Sequence, residues 1–464
     1  MSILRQFREP RLSIWQSAVD ESIGKKLAAQ RANIASGIAS GALGAAGVIS
    51  QPAARPNLAH PMIQESAAYC AAQSASGPLA LPAPASGPAG PAGRAQGGGL
   101  LDTACYCSRT AMKLAEATIL GNEQDCERYR NELGKFTDCD PLYVEAAEKY
   151  AEYFIAQCKK IPYRVYQKLA DFVLPGALPA QCRVAILGDW GTGLDAAISV
   201  LEQIAAKKPD VVIHLGDIYY SGTAFETQNY FYEPWARILD LAKIPTFTLA
   251  GNHDMYSGGT GYYGLIDQLR QPASYFCLRN AHWQFLAMDT GLHDSNPAAG
   301  GTAATYLEDT ELVWHKDKMD SAGSRHTVLL SHHPLFTAYE DIEGGAVNLR
   351  LYPQVFTFFP KVDLWFWGHE HNFVVYGPHL GVKRARCIGH GGFPIGVDED
   401  PTAARFPDVP VITKNAQGKA ITLGSQEGIL NHGYAIMDLD GPAAAVRYFQ
   451  SSDPTTPLFE EMFS

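Results

Sequence analysis

The chain has 464 residues, 46% of them hydrophobic and 18% charged, enough apolar material for a sizeable core and for more than one domain. Its formal net charge of −11 leaves no basic surplus to displace counterions from DNA or RNA, so nucleic-acid binding is not expected. Nine cysteines include no C-x-x-C pair, and no histidine stands near Cys105, Cys107, Cys126, Cys139 and Cys158. A structural zinc site is thus disfavoured; the cysteines read as reduced thiols, with one or two disulfides as the alternative.

Residues 1–100 read as a low-complexity, disordered tail and linker, since 74–99 are rich in Pro, Ala, Gly and Ser. Ahead of that stretch, Lys25, Lys26 and Arg31 precede a run made mostly of Ala, Gly and Ser. The run is too weakly apolar for a membrane span, and its leader is too long for a signal peptide. Membrane contact by this segment stays an alternative to a loose tail, and the cytoplasm is the favoured compartment. Residues 101–175 carry apolar side chains at three- and four-residue intervals, with Tyr143, Ala147, Tyr150, Phe154 and Cys158 on one stripe behind Pro141. That pattern predicts a small helical domain.

From Cys182 onward strands and helices alternate, defining a domain over 181–450. VAIL, VVIHL and TFTLA, separated by helical stretches near 194–208 and 230–241, predict βαβ units with parallel strands. A hairpin follows with Asn280-Ala281 near its turn, then a helix over 305–319 and a strand leading to Ser331. GYAIMDLDG and AAVRYFQ predict closing antiparallel strands, and 451–464 a C-terminal tail.

Five short motifs punctuate this domain: Gly188-Asp189-Trp190-Gly191, Gly216-Asp217-Ile218-Tyr219-Tyr220, Gly251-Asn252-His253-Asp254, Ser331-His332-His333-Pro334 and Gly368-His369-Glu370-His371. Each follows an apolar run and so stands at the carboxyl end of a buried strand, where open α/β sheets place their sites. Converging oxygen and imidazole donors suit hard or borderline metal ions. Two such ions point to hydrolysis of a phosphate ester, a metal-activated hydroxide attacking phosphorus in line. His369 and His371, two residues apart, can address one cluster from one strand end. His214, inside a strand, reads as a core histidine. Residues 188–193 run G-x-x-G-x-G, the reverse of the dinucleotide fingerprint, and no G-x-S-x-G elbow is present for a serine hydrolase.

Across roughly residues 182–450 the five motifs, in this order, resemble the calcineurin-like metallophosphoesterases. The resemblance implies an α/β (α+β) fold, a β-sandwich of mixed sheets flanked by helices. It implies Asp217 as a carboxylate bridging two metals, with Asn252, His332 and His369 at one and Asp189 and His371 at the other. Where the commonest pattern has a ligand histidine two residues after the opening aspartate, this chain has Gly191. Tyr220, three residues after Asp217, takes its place, with Tyr219 the rival. GDWG together with GDxxY resembles the purple acid phosphatase branch, in which a tyrosinate binds ferric iron. Fe(III) is thus expected at the Asp189/Tyr220/His371 site, with Fe, Mn or Zn at the other. His253 is expected to face the scissile phosphate and to hydrogen-bond a phosphoryl oxygen or protonate the leaving group, oriented by Asp254. His333 and His390 are candidate substrate contacts. In the loop 335–345, where the branch offers a further histidine, this chain has Asp341 and none. Hydrolysis of a small-molecule phosphomonoester is the expected activity, with diester hydrolysis and a catalytically silent metal-binding module as alternatives.

Overall fold

The computed structural model describes residues 149, 153, 160–295, 303–395, 404–426 and 429–464. The expected tail over 1–100 and the helical stripe from Tyr143 to Cys158 lie outside them. The chain divides into two units, Met1–Lys159 and Lys160–Ser464; the second is described here.

Fifteen strands are present among the described residues, in chain order β1 Val173–Leu174, β2 Gln181–Leu187, β3 Val211–His214, β4 Thr246–Thr248, β5 Phe276–Arg279, β6 Trp283–Ala287, β7 His326–Leu330, β8 Leu364–Trp367, β9 Phe373–Tyr376, β10 Ala385–Ile388, β11 Ser425–Gln426, β12 Ile429–Leu430, β13 Gly433–Asp440, β14 Ala443–Gln450 and β15 Phe459–Phe463. Two mixed sheets hold most of them, ordered β1-β5-β6-β7-β8-β10-β9 and β15-β14-β13-β2-β3-β4. Alternation decides which side chains meet. Val184 and Ile186 of β2, Val211 and Ile213 of β3, Val328 and Leu330 of β7, and Leu364 and Phe366 of β8 share one core between the sheets. Their neighbours Ala185, Leu187 and Val212 face outward onto the helix Asp195–Ala206 through Ala197, Val200, Leu201 and Ile204. Leu286, Leu329 and Trp365 pack with Trp314 of the helix Asp309–Asp320 on the other outer face. Burial on both faces explains why these strands read as continuous apolar runs. Each fully buried Val, Leu, Ile or Phe contributes about 1.5–3 kcal/mol.

The parallel β2-β3-β4 set, the β5-β6 hairpin and the antiparallel β13-β14 pair match the sequence reading. In the hairpin, Asn280 Oδ1 accepts the N–H groups of His282 and Trp283, which closes the turn. Two boundaries are corrected. Residues 160–175 are not helical: β1 pairs with β5, Tyr163 donates to Glu311 at 2.9 Å, and Trp314 Nε1 donates to the Asp171 carbonyl. Nor is 451–464 a tail, because β15 pairs with β14, and Leu458 and Phe463 enter the core. Glu461 then reaches Arg386 of the opposite sheet, bonding Nε at 2.9 Å and Nη2 at 2.7 Å. Cys182, Cys277 and Cys387 are buried free thiols. No helix among the described residues is long and apolar enough to cross a membrane.

Candidate metal centre

The motifs leave the carboxyl ends of β2, β3, β4, β7 and β8, so one sheet delivers Asp189, Asp217 and Asn252 and the other His332, His369 and His371. At Gly216 and Gly251, which open two of the motifs, glycine is a matter of space. A Cβ at Gly251 would sit 2.0 Å from Asp217 Oδ1, and one at Gly216 2.8 Å from His332 Nδ1. Asp189, Asp217 and His369 hold φ of 57°, 74° and 68°. Such left-handed backbone costs of order 1–3 kcal/mol per residue and persists where surrounding contacts over-determine it.

Asn252 Oδ1 lies 3.0 Å from His332 Nε2 and 3.1 Å from His369 Nδ1, and the two ring nitrogens are 3.2 Å apart. Edges of that length are what a cation with ligands at about 2.1 Å leaves between neighbouring donors. The donors are aimed from behind. Asn252 Nδ2 donates to the Tyr256 hydroxyl at 2.6 Å, turning its carbonyl oxygen inward, and His332 Nδ1 donates to the Leu215 carbonyl at 2.9 Å. That bond sets the His332 tautomer for metal ligation.

On the other side the Tyr219 hydroxyl stands 3.0 Å from Asp189 Oδ1, 3.3 Å from Asp217 Oδ2 and 2.9 Å from His371 Nε2. The tyrosine set against these residues is therefore Tyr219 rather than Tyr220. Ile218 forms a bridge with Gly191 and is buried among Trp190 and Phe231. Asp217 and Tyr219 meet at the cluster from the turn after β3, and His369 and His371 reach it from the bend after β8. The intervening Glu370 turns away to Thr337 and Tyr376.

Asp217 lies between the halves. Its Oδ2 is 3.3 Å from His332 Nε2, and its Oδ1 accepts the His253 N–H at 3.1 Å. Burial raises its pKa, but His332 and His253 overcome that and hold the carboxyl well below the usual range. Burial, aided by Asp217, pushes Asp189 up to about 8. Burial alone would depress His332, yet Asp217 pulls it up to about 9. The buried Asp217 carboxylate thus draws positive charge onto an imidazole whose nitrogen faces it. Donor identity, spacing, tautomer and charge all fit a pair of cations.

His253 lies beside them, its Nδ1 donating to the Tyr220 carbonyl at 2.7 Å. Asp254 does not orient that ring. Its Oδ2 accepts the N–H of Asp217 at 3.0 Å and of Gly251 at 2.8 Å, bracing the two loops that carry Asp217 and Asn252. His333 is buried, with Nδ1 3.2 Å from Thr290 Oγ1 and Nε2 3.2 Å from Asp294 Oδ2, so both ring nitrogens are engaged within the protein. It packs on His369, ring to ring at 4.5 Å, and with His332 and His369 forms one group able to hold a metal ion. His390 is corrected as a substrate contact: its buried ring lies 5.3 Å from Phe373 and against Gly433, on the β13 side. His214 is the satisfied core histidine expected, 2.9 Å from Thr248 Oγ1.

Sequence reasoning missed Tyr256, whose spacing of four from Asn252 on one helical turn was a readable signal. It also missed Phe393, stacked on His371 at 4.1 Å, and Glu340, whose carboxylate is 4.0 Å from His369 Nε2.

Residues 182–373 match the family model of the calcineurin-like phosphoesterases. The match supports a phosphoric ester hydrolase. Human tartrate-resistant acid phosphatase type 5 is 25% identical over 307 residues, 60% of this chain and 89% of that protein. The 3',5'-cyclic adenosine monophosphate phosphodiesterase CpdA of Pseudomonas aeruginosa is 25% identical over 191 residues, 39% of this chain and 62% of its own. Among solved structures, the purple acid phosphatase PPD1 of yellow lupin aligns at 16% identity and a TM-score of 0.41, covering 62% of this chain and 54% of that one.

Proposed function

We propose that the chain is a binuclear metal-dependent phosphomonoesterase of the purple acid phosphatase kind. The observation that carries this reading is the Tyr219 hydroxyl held against Asp189, Asp217 and His371. Asp189, Tyr219 and His371 would hold one ion, Fe(III) being the hard cation that a phenolate suits, and Asn252, His332 and His369 a divalent ion, with Asp217 shared. When bound, the pair supplies charge neutralisation at the phosphoryl oxygens and water of lowered pKa.

The protein's own residues do the rest. The Tyr220 carbonyl fixes the proton of His253 on Nδ1, placing acid–base capacity on Nε2 at the edge of the cluster. From there it serves the leaving oxygen, a role worth roughly 10²–10⁴-fold. Asp254 keeps Asp217 and Asn252 in register by bonding both loops.

Diester hydrolysis is the second reading, favoured by Glu340. That carboxylate beside His369 opposes the extra charge of a monoester dianion, and among the described residues no lysine or arginine pairs with Asp189, Asp217 or Glu340. Paired initial rates on p-nitrophenyl phosphate and bis-p-nitrophenyl phosphate decide. A monoester preference upholds the proposal, and a diester preference replaces it.

A further inference from the structure

Exposure across the centre is uneven. Asp189, Asp217, Asn252, His332 and His333 are all at most 2% exposed, whereas the His371 side chain keeps 22% of its surface. Phe393 lies over that side chain. Its ring is half-buried, stacked on His371 at 4.1 Å and 23°, 4.8 Å from the Tyr219 ring and 6.0 Å from that of Tyr220.

This placement is rigid. The Phe393 N–H donates to the Asp189 carbonyl at 3.1 Å, and the Gly391 N–H to the Gly188 carbonyl at 3.0 Å. Gly392 is packed so closely that a Cβ there would meet Ala197 Cβ and the Trp190 carbonyl at 2.7 Å. These contacts anchor the backbone that carries the ring. Shielding His371 would need only an aliphatic side chain. A planar ring held partly open beside His371 adds a π surface at the exposed edge of the cluster.

We propose that Phe393 is a specificity-determining residue, forming a stacking subsite for a planar aromatic group on the ester arm. The inference rests on the phosphoesterase reading and narrows its substrates to aryl or nucleobase-bearing phosphates. A ring-on-ring contact of this kind is worth a few-fold to about tenfold in affinity.

The test uses the full-length chain loaded with Mn(II), as wild type, Phe393→Ala, Phe393→Leu and Phe393→Tyr. Calorimetric titration with phenylphosphonate and methylphosphonate reads the subsite without turnover, while metal content and near-ultraviolet circular dichroism report folding. Wild type should bind the phenyl compound more tightly. Phe393→Ala and Phe393→Leu should weaken only that compound, by about 3- to 10-fold, and Phe393→Tyr should restore it. Equal weakening of both phosphonates, no wild-type preference, or no binding of either would overturn the proposal. Hydrolysis is a separate readout: a wild type that binds both phosphonates yet cleaves no ester removes the proposed function and leaves the aromatic subsite standing.

Discussion

Asn252, His332 and His369 offer one amide oxygen and two imidazoles, with no carboxylate among the three, held at 3.0–3.2 Å from one another. Around Asp189, Tyr219 and His371, by contrast, two of the three side chains can carry negative charge, and His371 is partly open. The difference teaches that the two halves are suited to different ions. Amide and imidazole donors, preset by Tyr256 and Leu215, match a borderline divalent cation. A carboxylate with a phenol asks for a harder, more highly charged one.

The hardest blow to this asymmetry is Asp217→Asn, which touches both halves. Activity should fall by roughly 10³-fold or more, the scale on which preorganised charge acts, with loss of both ions by elemental analysis. Loss of one ion only would assign Asp217 to a single half. His253→Ala should leave both ions bound and cost roughly 10²–10⁴-fold in kcat, whereas coincident metal loss would make it a structural residue. Tyr219→Phe sharpens the contrast, since it should abolish any visible absorption of an iron-loaded protein while the second half keeps its metal. Tyr220→Phe should leave that absorption in place; the reverse pattern would return the ligand role to Tyr220.

The smallest effect expected comes from a control away from the centre. Glu311 is also a buried carboxyl, but it is satisfied by the Tyr163 hydroxyl, the Asp289 N–H and His315. Burial pushes it up to about 8. The folded chain thus keeps a proton that the unfolded chain loses near pH 4.3, so stability should decline as pH rises between those values. Melting curves from pH 5 to 8 should be flatter for Glu311→Gln than for wild type. Metal chelation should lower Tm equally in both, because no ion depends on Glu311.

The sandwich and most of the centre were legible because the strands carrying ligands are buried on both faces, and the residues after them are polar groups with few other reasons to be there. What escaped was short or depended on backbone path. β1 and β15 are edge strands, and Glu460 and Glu461 interrupt the apolar signal of the latter. The choice between Tyr219 and Tyr220 turned on the path of the turn after β3, where Asp217 is left-handed. The brace supplied by Asp254 is a backbone contact that residue spacing does not encode.

Because the ligands come from both sheets, ions bound here would act as a cross-link between chain segments far apart in sequence. Closing such long loops removes freedom chiefly from the unfolded chain. Stability and metal occupancy then become one quantity viewed from two sides. In hydrogen-exchange terms, the amides of the five ligand loops should be protected together and, on chelation, released together. Exchange at the outer helix Asp309–Asp320 would scarcely change.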